Sequence, residues 1–215
     1  MQLPDLKMPD KEKKILEAAI TVISEKGFSA STTSEIAQMA GVAEGTIFRY
    51  FKTKKDILRG ILIHLVNIVG EPLILDSFKK ILFNSDQKDL RAIIKALLQE
   101  RFVLMESIYP MLRIIVTEAM YHEDIRKILH EKIISKALEI FKLFQEEMVA
   151  KGLMDKDIDP LAASRSIYGN LVGFFIYQKF FGFVIKLEDF DKDLDRVVDI
   201  IMYGISARQN SDARQ

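Results

Sequence analysis

Cysteine is absent from the 215 residues, which excludes a disulfide framework, a thiolate zinc site and a cysteine nucleophile, and fits a reducing cytoplasm. Glycine and proline are scarce, at 10 and 5 residues, about 7% of the chain against roughly 12% in average proteins. So few turn formers point to long helices with few connections, and away from a β-sandwich or a Rossmann domain. No apolar run opens the chain, because Met1 to Asp10 is polar and interrupted by Pro4 and Pro9. No signal segment is expected there, and the expected location is cytoplasmic. The most lipid-like stretch, Ile167 to Ile185, contains Asn170, Gln178 and Lys179 and follows Arg165. It reads as a buried helix of a soluble protein, and no membrane partner is expected. A nucleophile elbow, a glycine-rich phosphate loop and a pair of histidines at metal spacing are all missing, so no enzymatic activity, metal or cofactor is expected.

What is present is an ordinary globular composition, 49% apolar and 29% charged, with 31 basic residues against 31 acidic ones. Ile15, Ala18, Ala19, Val22 and Ile23 recur at helical spacing behind a possible Asp10 cap, and Gly27 with Phe28 supplies a left-handed stop. Thr32-Thr33-Ser34-Glu35 has the form of a capping box opening a short helix to about Ala40. Gly41 breaks that helix, and a third runs from about Glu44 to Phe51. Two short helices joined this tightly behind a supporting helix make a helix-turn-helix pattern. A second box, Thr53 to Asp56, opens a fourth helix that reaches Gly70 and is expected to kink near Pro72.

Further helices are expected from about Gln87 to Ser107, Tyr109 to Met120 and Asp124 to Lys151, separated by Pro110 and the polar corner Tyr121-His122-Glu123. Gly152 ends the third of these. Asp159-Pro160 caps an apolar helix to about Phe181, and Asp191 begins the last. The fold class is therefore all-α with about nine helices. A helix-turn-helix domain over residues 1–53 precedes a larger helical domain over residues 54–215.

Charge is unevenly placed. Between Glu44 and Arg59 there are five basic residues (Arg49, Lys52, Lys54, Lys55, Arg59) and two acidic ones (Glu44, Asp56), a local excess that suits phosphates and equally suits a solvated helix face. Ile47 and Phe51 lie one turn apart and face inward, against Ile36, Ala37 and Ala40. Glu44, Gly45, Phe48, Arg49 and Lys52 are left on an outer stripe that can enter a major groove. On that stripe Gly45 lets backbone approach a duplex, Thr46 reaches a base edge or phosphate, and Phe48 packs on a thymine methyl. Thr33 at a helix start, Tyr50 and Lys54 suit phosphate oxygens. Arg49 suits guanine or a phosphate.

Gly27, Thr32-Thr33-Ser34, Glu35-Ile36-Ala37, Ala40-Gly41-Val42, Gly45-Thr46-Ile47-Phe48, Tyr50-Phe51 and Lys54 stand in the order and spacing of the TetR family of bacterial transcriptional regulators, which the chain resembles from Ile15 to Leu58. The sequence departs from the family at Phe48, where a tyrosine is frequent, and at Ala43, where a hydroxyl cap is frequent. The resemblance implies a ligand-released repressor that binds a palindromic double-stranded operator as a homodimer. Its DNA-binding residues would be Thr33, Ser34, Glu44, Gly45, Thr46, Phe48, Arg49, Tyr50 and Lys54. The alternative is a helical ligand-binding or scaffold protein whose head no longer binds DNA.

The resemblance further implies an effector cavity in the larger domain for a small lipophilic molecule. Phe102, Met105, Tyr109, Met120, Phe141, Phe144, Tyr168, Phe174 and Tyr177 supply apolar and aromatic lining, which equally suits an ordinary core. Arg113 and Asn170 are polar groups within apolar runs and need partners. For Arg113 these are Glu106, Glu118 or a ligand anion. Glu118 and His122 lie one turn apart in what is expected to be a solvated corner, with no metal. Gly169 and Gly173, with the apolar stripe of the last helix, exceed what one helix pair buries, and in the family the last two helices form a four-helix bundle with a second subunit.

Overall fold

The computed structural model describes residues 8–69, 89–182 and 190–204. Among them every regular element is helical. They form two compact units, 8–69 with 104–140 and 89–103 with 141–182 and 190–204. The described part of the expected head, residues 8–53, lies in the first unit.

In the first unit, α1 (Asp10–Lys26) starts after Pro9, which stands at the cap position without a side-chain bond. Asp10 is thus the first helical residue, where its charge favours the helix dipole, and is not the cap. At the other end Gly27 has φ 83° and donates its N–H to the Ile23 carbonyl at 2.8 Å. Its ψ of 161° is extended, so the chain leaves α1 directly and does not make the left-handed closing turn. The capping box of α2 (Thr33–Ala40) is complete: the Glu35 amide donates to Thr32 Oγ1 at 3.2 Å, and the Thr32 amide donates to Glu35 Oε2 at 3.0 Å. Gly41, at φ 66° and ψ 35°, closes α2, with the Val42 amide bonded back to the Ala37 carbonyl at 3.0 Å. After two further residues α3 (Glu44–Tyr50) begins.

The second box, between Thr53 and Asp56, opens α4 (Lys54–Val69). Its expected end at Gly70 and kink near Pro72 lie outside the described residues. Ile57, Leu58, Ile61, Leu62 and Leu65 of α4 are fully buried and join Ile15, Leu16, Ala19 and Ile20 of α1 with Ile36 and Ile47 in one core. Ile108, Met111, Ile114, Ile115 and Ile125 complete it from beyond residue 104.

Two expectations about the later helices are corrected. Pro110 does not separate two helices, because α5 (Leu90–Ala119) runs through it. A proline without an amide proton forfeits one ladder bond; here the buried neighbours Ile108 and Met111 hold the helix together. The stretch from Asp124 to Lys151 is α6 (Glu123–Leu129), a π-helical turn over His130–Ile134 and α7 (Ser135–Ala150). The extra residue in such a turn rotates the later face relative to the earlier one. Gly152 (φ 70°) ends α7 as expected.

In the second unit, the Asp159 carboxylate accepts from the Ala162 amide at 2.7 Å and Pro160 opens α8 (Pro160–Phe181), again as read from the sequence. The final helix is α9 (Phe190–Tyr203). Arg91 and Lys95 of α5 pair with Asp195 and Asp199 of α9 at 2.7–3.0 Å, and Gln99 donates to Asp191 at 2.6 Å. The two helices are thereby laced along i, i+4, i+8 positions. α8 is not the buried helix expected, since Val172, Ile176, Tyr177, Phe180 and Phe181 are exposed. Among the described residues no helix is long and apolar enough to cross a membrane.

Candidate nucleic-acid interface

The inward residues of α3 hold it firmly. Ile47 is fully buried and Phe51, just past the helix, is nearly so, both within the cluster that includes Ile36 and Ala37. Their burial leaves Glu44, Gly45, Phe48 and Arg49 exposed, with Thr46 and Tyr50 half-buried at the margins. Phe48 is 48% exposed, a large aromatic surface for which α3 itself supplies no cover. A Cβ built on Gly45 would meet nothing within 4 Å, and its φ is an ordinary helical one. Neither packing nor backbone conformation therefore requires glycine there, although it weakens a short helix by roughly 0.5–1 kcal/mol relative to alanine.

Ala43 precedes α3 without a side-chain bond to its amides. The acid at the first helical position offsets part of this through the helix dipole, and Thr33 Oγ1 donates to that acid, Glu44 Oε1, at 2.6 Å. One contact therefore ties the start of α2 to the start of α3 and fixes the angle between them. Ser34 is exposed beside it.

Of the five cations between Glu44 and Arg59, Arg49 and Lys52 are exposed. The other three are engaged within the protein. Lys54 was expected at a phosphate; without DNA its ammonium donates to the carbonyls of Phe28 (2.6 Å), Ser31 (2.8 Å) and Ser29 (3.3 Å) and lies 4.5 Å from the Phe28 ring centroid. The three N–H donors of a lysine are thus occupied, and Lys54 clamps the turn between α1 and α2. Lys55 and Arg59 both reach Asp124 at the start of α6, at 2.8 and 2.7 Å, and Arg59 also bonds Asp56 at 2.8 Å. The hydrogen bonds from Lys55 and Arg59 hold the Asp124 carboxyl far below the usual carboxylate range.

The expected effector residues divide between the units. Met105 and Tyr109 are half-buried in the first unit and Met120 is exposed there. Arg113 is a correction: it is exposed and donates to the Ser24 carbonyl near the end of α1, so it is not stranded among apolar side chains. Its neighbours Ile114 and Ile115 face the core and the helix turns Arg113 away from them, which a linear run of apolar letters conceals. The Glu118 carboxylate lies 3.5 Å from His122 Nε2, and among the described residues no group of three metal-ligating side chains forms.

In the second unit Phe102 and Phe174 belong to one group of aromatic rings, and Phe141, Phe144 and Tyr168 to another. Phe102 meets Phe174, Phe175 and Phe190 with ring centroids 5.8, 5.4 and 4.4 Å away, and Phe141 meets Phe144 and Tyr168 at 5.7 and 6.1 Å. Asn170 is exposed and donates to the Ser166 carbonyl at 2.6 Å. With Gly169, Gly173, Phe174 and Tyr177 it lines an open depression of about 480 Å³. The sequence reading missed Glu100 and Arg101. Arg101 is buried, its Nη2 has no hydrogen-bond partner, and neither has the buried Oε2 of Glu100. Leaving such groups unmet costs about 1–3 kcal/mol each, more when charged. Burial raises the Tyr168 phenol above its ordinary value, with Arg101 opposing the shift and Glu100 reinforcing it.

Residues 15–61 match the family described as bacterial regulatory proteins, tetR family. Over those residues the chain is similar to the TetR family of regulators. Among curated proteins it is 54% identical over 48 residues to the fatty acid metabolism regulator protein of Bacillus subtilis, covering 22% of this chain and 25% of that one. It is 35% identical over 96 residues to the uncharacterized HTH-type transcriptional regulator YvdT of the same organism, covering 45% and 46%. These matches thus span between a quarter and about half of the relatives' length. The fold extends further. The transcriptional regulator FadR of Bacillus subtilis, solved in complex with stearoyl-CoA, superposes with a TM-score of 0.69 at 24% identity, covering 90% of this chain and 98% of that one. The fatty acid degradation regulator FadR of Bacillus halodurans gives 0.73 at 22% identity, covering 94% and 100%. All four of these proteins are described as regulators.

Proposed function

We propose that this chain is a ligand-released repressor that binds a palindromic DNA operator as a homodimer and senses an acyl-type lipophilic effector. The observation that carries the reading is the outer stripe of α3, where Gly45, Phe48 and Arg49 are exposed beside a firmly buried Ile47. In a major groove Gly45 admits the duplex backbone, Phe48 covers a thymine methyl, Arg49 grips guanine or a phosphate, and the Glu44 carboxylate suits a cytosine amino group. Ser34, Thr46 and Tyr50 flank the stripe and suit phosphate oxygens, as does the backbone N–H of Thr33 at the start of α2, and these contacts set the register.

The second copy docks on α8 and α9. Ile176, Tyr177, Phe180 and Ile200 are exposed, and Gly169 and Gly173 have open space where a Cβ would project, as in a close helix crossing. Such a pair presents two α3 helices to half-sites about 34–36 Å apart or at a related spacing. FadR of Bacillus subtilis, which shares this fold, carries stearoyl-CoA, and the aromatic groups around Phe102 and Phe141 offer an acyl chain a matching surface. Effector entry shifts α5, which runs from Phe102 to the core residues Met111 and Ile115 of the first unit, and the Asp124 contacts pass the movement to α4 through Lys55 and Arg59. A coupling of about 1–3 kcal/mol is typical of such linkage.

A gel shift on the DNA upstream of the protein's own gene tests this. Phe48→Ala and Arg49→Ala should abolish specific binding while leaving the helical spectrum unchanged, and the affinity should fall steeply with log salt. Specific binding that survives both substitutions, or a protein that binds effector but no DNA, would establish the scaffold alternative instead.

A further inference from the structure

Two oppositely charged neighbours in the second unit, Glu100 and Arg101, each bury a polar atom, and they do not neutralise each other. Adjacent residues on a helix point about 100° apart, and no ion pair joins these two among the described residues. Nη2 of Arg101 and Oε2 of Glu100 are both buried and both lack a hydrogen-bond partner. Both act electrostatically on the largely buried phenol of Tyr168 in α8. Tyr168 in turn packs its ring against Phe141 at 6.1 Å. The arrangement offers a ligand one strong donor and one strong acceptor, with no net charge, both out of contact with water.

We infer, on the effector-binding reading above, that the group seated between Arg101 and Glu100 is the uncharged polar end of an acyl compound that both donates and accepts a hydrogen bond, an amide or a hydroxyl, and is not a free carboxylate. An amide carbonyl accepts from the Arg101 guanidinium while the amide N–H donates to the Glu100 carboxylate, so both unmet atoms are satisfied at once. A carboxylate satisfies Arg101 alone and sets a second negative charge against Glu100, buried where repulsion is weakly screened. Specificity then comes from the unfavourable contact as much as from the favourable one.

Isothermal titration at pH 7.5 of the full chain with dodecanoate and with N-(2-hydroxyethyl)dodecanamide, which share one chain length, reads this directly. The amide should bind at least tenfold more tightly. Glu100→Gln, which replaces the charge by a neutral group of the same shape, should bring the ratio close to one by improving dodecanoate. Arg101→Met should weaken both ligands. Thermal unfolding confirms that each variant is folded, and release of upstream DNA by each ligand is followed in parallel. Tighter binding of dodecanoate by the parent chain, or a ratio unmoved by Glu100→Gln, overturns the inference and leaves the lipophilic-effector reading standing. If neither compound binds while upstream DNA is still held, both the effector reading and the inference fall.

Discussion

Replacing Gly45 by alanine should make the protein more stable and a worse DNA binder. Gly45 sits near the start of α3 with an ordinary helical φ, and a methyl group there meets nothing within 4 Å. The substitution therefore adds only the backbone preference of alanine, about 0.5–1 kcal/mol, reduced by the position's closeness to the helix end. For a chain of this length that corresponds to a rise in Tm of about 1–4 °C. The same methyl, pressed between α3 and a duplex, is an overpacking of the kind that costs about 1–3 kcal/mol, or roughly 5- to 150-fold in affinity per contact. Gly60→Ala is the contrasting case, since its Cβ would fall 2.8 Å from Phe51 Cε1 and 3.0 Å from Leu16 Cδ2, both of buried side chains. It should lower Tm through strain in the core. Differential scanning calorimetry with fluorescence anisotropy on labelled upstream DNA reads both quantities. A Gly45→Ala protein that is stabilised and binds DNA as tightly as the parent would refute the placement of α3 against a duplex, and one that is destabilised would refute the packing.

Four further outcomes are expected. His64 of α4 is buried with neither ring nitrogen hydrogen-bonded, and burial lowers its pKa below the ordinary value, against the partial opposition of Glu17. Since the folded state disfavours the charged ring, stability should be complete above about pH 6.5, the ordinary histidine pKa, and should fall as pH drops through the folded value; in chemical unfolding His64→Phe should flatten that slope, and an unchanged slope would show another group responsible. Asp124→Asn removes the shared partner of Lys55 and Arg59; it should weaken the effector-induced loss of DNA affinity more than the affinity itself, and its effect on Tm should shrink in 1 M salt. Thr32→Ala removes the side-chain half of the α2 box, the acceptor of the Glu35 amide, and leaves the backbone N–H of residue 32 on Glu35; it should destabilise by about 1 kcal/mol in urea unfolding. Ile176→Glu, on the exposed apolar face of α8, should yield a folded monomer in analytical ultracentrifugation, whereas an unaltered dimer would place the interface elsewhere.

The features that sequence exposed were those fixed by neighbours close in the chain. The boxes at Thr32 and Thr53, the left-handed Gly41 and the Asp159-Pro160 start are each set within about five residues, so residue type and spacing suffice. The features it concealed depend on distant contacts. Pro110 looks like a helix break, and only its buried neighbours show the helix continuing. The π-helical turn at His130 leaves no mark in composition, and the polar letters around it read as one helix with α6 and α7. Lys54 has the residue type of a phosphate ligand, yet carbonyls more than twenty positions earlier take its three donors. Arg113 and Arg101 exchanged places for the same reason. The arginine in the more apolar run proved exposed, while Arg101, preceded by Gln99 and Glu100, proved buried, and the helical spacing of Ile93, Ile94, Leu97, Leu98 and Phe102, which puts position 101 on their face, was the signal available.

On the proposed function, two copies of α3 read one duplex together. Hydroxyl-radical footprinting of the upstream DNA tests it most directly. Two protected patches should appear on one face of the helix, about 34–36 Å or a related spacing apart, and both should vanish together in Phe48→Ala and in Ile176→Glu. A single patch, or protection that persists in either variant, would contradict it.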